Sequence, residues 1–195
     1  MRVLGYASYV SSRMRLHGRL THLRLGWLVY LFALAFSQPL LAESSRPALA
    51  QGASIEAGQW RVKPLRARRV TEHPLRHSPA KSESYLLIEC EFANLTERSS
   101  GDYRSVVRLE QPEFEQLGEP VFVLARDMAL SDRLHPDMPE TLLIVWPLPA
   151  GMSAPPELKL SIDAKTYKPV DNLVGSPGWF NPAAVANATL TLGTE

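Results

Sequence analysis

The stretch 84–100, "SYLLIECEFANLTERSS", decides the fold class of this chain. Its alternation places Leu86, Ile88, Cys90 and Phe92 on one face of a strand and Glu89 and Glu91 on the other, with Tyr85 and Leu87 ahead of them. Successive strand side chains point to opposite faces, so a period of two marks a buried side. The run breaks at "ANLT", and "ERSSGD" reads as a polar turn. Cys90 is the only cysteine. On the apolar face it acts as a small hydrophobe. Burial and the flanking glutamates disfavour the thiolate that a nucleophile, redox centre or metal ligand requires. A single cysteine allows no internal disulfide, so the core alone must hold the fold.

Working outward, "ELKLSIDA" sets Leu158, Leu160 and Ile162 against Lys159, Ser161 and Asp163, a half-buried strand. "TLLIVWPLP" is apolar on both faces, Leu142, Ile144 and Trp146 opposing Leu143 and Val145. It suits a central strand covered on both sides and ended by Pro147. "YRSVVRLE" and "EPVFVLA" are shorter apolar runs, and "VANATLTLG" alternates as a last strand. In "QWRVKPLRARRV" Trp60 and Val62 point inward. Beyond Pro64 the parity flips to Leu65 and Ala67, which predicts a bulge on an edge strand. "RDMALSDRLH" allows a turn or two of helix. Sixteen prolines argue against long helices. About seven short strands joined by turn-rich loops predict an all-β, antiparallel β-sandwich.

The N-terminus has a different character. Residues 1–42 carry five arginines and no acid, and "LGWLVYLFALAFSQPLLA" from Leu25 to Ala42 is uncharged. A basic region, an apolar stretch and a small terminal residue predict an export signal over residues 1–42, cleaved after Ala42, with Met14 a second candidate start. The alternative is an uncleaved anchor, which is the only route by which residues 25–42 would place the chain at a membrane. The expected organisation is then a signal peptide at 1–42, a flexible lead-in at 43–58 and a sandwich at 59–195. Cleavage leaves 16 basic against 20 acidic residues, a net charge of −4. That balance argues against a cationic nucleic-acid binder.

Two segments together, "YLLIECEFANLTERSS" and "LHPDMPETLLIVWPLP", the latter leading to the "LKL" strand, resemble the small secreted bacterial immunoglobulin-like domains of unknown function. That family includes secreted immunoprotective antigens. The resemblance covers about residues 58–168. It implies an immunoglobulin-like sandwich and export, and no particular activity. Asp137, Met138 and Pro139 stand where the family carries a turn glycine, and the tail "DNLVGSPGWFNPAAVANATLTL" is longer than the family's.

No serine-hydrolase elbow, zinc-protease helix motif, phosphate loop or C-x-x-C motif occurs. No catalytic or metal-binding residue and no cofactor is assigned. His73 and His77 with Glu72 would make a metal set only on a helix that Pro74 and Pro79 oppose. Arg61, Lys63, Arg66, Arg68 and Arg69 read as an anion-binding stripe or as charges guarding an exposed edge. Trp179 and Phe180 read as a binding patch or as caps on the core. Asn94 and Asn187 begin glycosylation-type triplets. The function expected is a periplasmic or secreted, non-enzymatic domain of the bacterial envelope that binds another envelope protein. The alternatives are a periplasmic metal- or solute-binding domain and a membrane-anchored subunit of an envelope complex.

Overall fold

The computed structural model describes residues 46–75, 82–173 and 175–194. Ten strands succeed one another: β1 (Ala48–Leu49), β2 (Ile55–Ala57), β3 (Trp60–Val70), β4 (Ser84–Asn94), β5 (Val107–Leu109), β6 (Val121–Leu124), β7 (Ala129–Leu130), β8 (Glu140–Leu148), β9 (Glu157–Lys168) and β10 (Gly178–Thr194). Short 3-10 turns lie at Asp102–Ser105 and Pro112–Phe114. One layer runs β5-β9-β10, with β1 on the far side of β10. The other runs β3-β4-β8-β6-β7, with β2 paired to the start of β3. Strand β10 crosses between them: Leu192–Thr194 pair in parallel with Ala67–Arg69 of β3. The fold is an all-β sandwich.

The alternation in β4 is obeyed. Leu86, Ile88, Cys90 and Phe92 are fully buried in the main core. Leu142, Ile144 and Trp146 of β8 join them from one layer, and Leu158, Leu160, Ile162, Ala186, Ala188 and Leu190 from the other. An aromatic group fills one part of this core. Tyr103 packs against Trp60 at 5.7 Å, Phe92 at 5.9 Å and Phe122 at 5.4 Å between ring centroids. The opposite faces of β4 and β8 bury a second cluster, Tyr85, Leu87, Leu143 and Val145 with Val123. β8 is therefore apolar on both sides, as its sequence requires, whereas the second face of β4 is apolar only at Tyr85 and Leu87 and carries Glu89 and Glu91 beyond them.

The structure departs from the sequence reading in five places. Among the described residues there are ten strands rather than about seven, and β3, β4, β9 and β10 are long, with 11, 11, 12 and 17 residues. The pairing is antiparallel except for β1–β10 and β10–β3, which are parallel. The expected flexible lead-in at 43–58 contains β1 and β2, and residues from Arg46 onward belong to the sandwich unit. Residues 126–135 hold the short β7 instead of helix. Finally, β3 is no edge. Its bulge, between Pro64 and Arg66, falls where its outer neighbour changes from β2 to β10. There the loop before β2 takes over: Gly52 N–H donates to Pro64 O at 2.8 Å and Gln51 Nε2 to Leu65 O at 2.8 Å. The signal at 1–42, with its cleavage point and alternative start, lies outside the described residues.

Candidate ligand-binding groove

At the end of β4, Asn94 turns the chain. Its buried side chain donates through Nδ2 to Arg98 O at 2.8 Å and to Leu134 O at 3.0 Å. Its Oδ1 accepts from Thr96 N–H at 3.0 Å and Thr96 Oγ at 2.8 Å. Asparagine suits this position because its amide imitates a backbone turn in both directions. Ser100 and Leu134 exchange two backbone hydrogen bonds, and Ser99 Oγ lies 2.8 Å from His135 Nδ1. Residues 95–100 thus form a fixed wall.

The facing wall comes from β9 and β10. Tyr167 and Trp179 are cross-strand partners, with ring centroids 5.4 Å apart and ring planes inclined by 59°. Tyr167 is 51% exposed and Trp179 half-buried. Beneath Trp179 runs Gly58, at φ +64°. A Cβ there would come within 2.5 Å of Lys165 O and 3.3 Å of the indole, so only glycine lets the chain pass this close to β9. Between the walls lies an open groove of about 680 Å³, lined by Gln59, residues 96–100, Tyr167 and residues 177–179. That volume falls within the range of small-molecule sites, roughly 300–1,000 Å³.

Below the groove lies a network of charges. Gln59 Nε2 donates to Asp102 Oδ2 at 2.9 Å, and Lys165 Nζ is paired with Asp102 Oδ1. Arg108 reaches Asp163 through Nε at 2.6 Å and Nη2 at 3.2 Å, while Ser161 Oγ donates to Asp163 Oδ1 at 2.7 Å. The bond to Asp163 raises the Arg108 pKa above its ordinary value. Asp102 and Asp163 line one cavity, but it holds only about 10 Å³, room for a single water and no substrate. Each carboxylate already has a cation and a second donor. The arrangement suits fixing the base of the groove rather than moving protons.

The residues singled out in the sequence fall as follows. Cys90 is wholly buried, and burial, helped by Glu89, drives its thiol pKa far upward. His73 accepts the Leu75 N–H at Nδ1 and stands edge-on to Tyr85 at 4.9 Å. His77 lies outside the described residues. No group of three His, Cys, Asp or Glu side chains able to hold a metal occurs among the described residues. The basic run is met largely from within. Arg66 and Arg68 hold Glu89 at 2.7 and 2.9 Å, Arg61 pairs with Glu56 at 3.0 Å, and Arg69 donates to Ser84 Oγ. Asn94 is too deeply buried to be a glycosylation acceptor. Trp179 and Phe180 separate: Trp179 lines the groove, whereas the Phe180 ring lies under Lys168 Nζ at 5.6 Å. Tyr167 and the 96–100 wall were missed in the sequence, because only the pairing of β9 with β10 and the turn after β4 bring them together.

What fold and site define is a β-sandwich with a preformed aromatic groove at the end of its strands. Neither a protein-family model nor a curated protein matches the chain. Among solved structures, an uncharacterised β-sandwich protein from Clostridium difficile 630 aligns at 10% identity over 79% of this chain and 99% of its own, with a TM-score of 0.48.

Proposed function

We propose that this protein is an exported, non-enzymatic binding domain of the bacterial envelope, periplasmic or secreted, whose ligand sits in the groove between residues 96–100 and the Tyr167–Trp179 pair. One observation carries the reading: an exposed Tyr167 and a half-buried Trp179 lie together along a groove whose opposite wall is locked by Asn94. Walls that need no ordering on association give up little conformational entropy, which is what a binding site gains from preorganisation. The basic, acid-free N-terminus and its uncharged run supply the case for export. Exposed strand edges or end loops of such a sandwich are the surfaces that would contact an envelope protein.

The test is a sedimentation assay of the protein with envelope fractions of the producing bacterium. Wild type should cosediment saturably, and Trp179→Ala combined with Tyr167→Ala should lose most of that binding while keeping the wild-type circular dichroism spectrum. Equal binding by wild type and double variant would remove the groove from the function. N-terminal sequencing of the exported protein decides between a soluble and an anchored form, since an N-terminus near Glu43 excludes the anchor.

A further inference from the structure

We infer that the groove takes a glycan chain of uncharged pyranose rings. This rests on the groove being the ligand site, as proposed above, and adds the chemical class of the ligand. A pyranose offers two kinds of surface, an apolar face of C–H bonds and a rim of hydroxyls that both donate and accept. The groove offers the complement of each. Tyr167 and Trp179 line the groove with two aromatic rings, side chains that take apolar flat surfaces. On the opposite wall, Glu97 and Arg98 are both exposed, one only accepting and the other only donating. Ser100 Oγ accepts the Asp102 N–H at 3.2 Å, which leaves its own proton to donate.

The charge at the rim decides against an ionic ligand. Glu97 and Arg98 are adjacent and opposite, so an anion or cation drawn to one is repelled by the other, whereas a hydroxyl uses both. Part of the backbone of this wall is already engaged within the fold, which leaves fewer groups for strand addition by a peptide. Thr96 N–H is bonded to Asn94, Arg98 O to Asn94, and both backbone groups of Ser100 to Leu134.

Intrinsic fluorescence of the full chain, titrated with dextran, laminarin, yeast mannan and, as an acidic comparator, polygalacturonate, tests the inference. Of the other three tryptophans, Trp60 and Trp146 are buried and Trp27 lies outside the described residues, so a change on binding that is absent in Trp179→Phe reports the groove. Saturable binding is expected with at least one neutral glycan. It should weaken by about tenfold in Tyr167→Ala, the scale on which loss of one stacked ring is felt. Arg98→Ala, an exposed change that leaves the fold alone, should weaken it severalfold. Binding to none of the neutral glycans, a preference for polygalacturonate, or equal binding by both variants would overturn it. Groove-dependent binding to envelope fractions that protease treatment abolishes would assign a protein ligand, overturning the glycan but not the groove. Absence of any envelope binding would sink both readings.

Discussion

Arg108 closes over Asp163 as a two-pronged pair, with Nε 2.6 Å from Oδ2 and Nη2 3.2 Å from Oδ1, above a carboxylate side chain only 7% exposed. Asp163 stands at an outward position of β9, where the alternation in "ELKLSIDA" predicts a solvated acid. β5 lies alongside it there, because Val107 pairs with Ile162 and Arg108 with Ser161. Removing the cation leaves a nearly buried charge with Ser161 and the Val106 region as its surroundings. Arg108→Ala should therefore destabilise the protein by about 2–3 kcal/mol, more than an exposed ion pair is worth. Arg108→Ala with Asp163→Asn should recover part of the loss. Urea unfolding of the three variants measures it, and a single variant as stable as wild type would contradict the account.

Cys90 should behave as core. Cys90→Ala removes a buried sulfur and leaves a small cavity, costing about 1 kcal/mol, with no effect on ligand binding. The thiol should react slowly with a disulfide reagent in buffer and quickly in denaturing urea. Rapid labelling of the native protein would show that β4 opens more readily than its burial allows.

How much of this was legible in the sequence depends on whether a segment carries its own period. β4, β8 and β9 do, and their apolar faces are as the sequence reads them, although Glu89, Ser161 and Asp163 on the polar faces are buried. The parity flip at Pro64 was legible as well, but its context was not. The five cations of β3 look like edge protection until the register sets Arg66 opposite Glu89 and Lys63 opposite Glu91. Strands of two or three residues, such as β1 and β2, are too short to show a period. The start of β10 hides for another reason. Asn181, at φ +56°, and Pro182 fall where the pairing with β9 skips, between Phe180 and Ala183, and a bulged strand with Gly, Pro and Asn reads as a loop. The groove inherits that blindness. Trp179 was visible as an aromatic in a Gly/Pro setting, but its partner Tyr167 becomes one only through the β9–β10 register.

His73 gives the fold a mild dependence on acid. Its partial burial lowers its pKa below the ordinary 6.5, so the folded state binds fewer protons than the unfolded chain just below that value. Stability then rises with pH through this window and falls as the pH drops below about 6.5. Protonation at Nδ1 would also break the bond from Leu75 N–H. The midpoint of urea unfolding, followed between about pH 7.5 and 5.5, where free histidine titrates, should fall on acidification, and less so in His73→Gln. Identical slopes for the two proteins would show that His73 does not contribute.

Asn94 ties stability to binding, and its replacement separates the two. In Asn94→Ala the carbonyls of Arg98 and Leu134 lose one shared donor but keep Thr96 Oγ and Ser100 N–H, while the Thr96 N–H loses its acceptor. One polar group left without a partner costs about 1–3 kcal/mol, so a drop of about 1–2 kcal/mol is expected, measured by denaturant. The same change frees the 96–100 wall while leaving Tyr167 and Trp179 in place. Ligand binding should weaken through faster dissociation, with association little changed, because a loosened wall must be ordered each time the ligand is held. Asn94→Asp keeps the acceptor for Thr96 but turns a buried carboxylate oxygen toward the carbonyls of Arg98 and Leu134, so near neutral pH it should destabilise at least as much as alanine. If Asn94→Ala lowers stability as expected yet leaves dissociation unchanged, the wall is part of the fold and no part of the site.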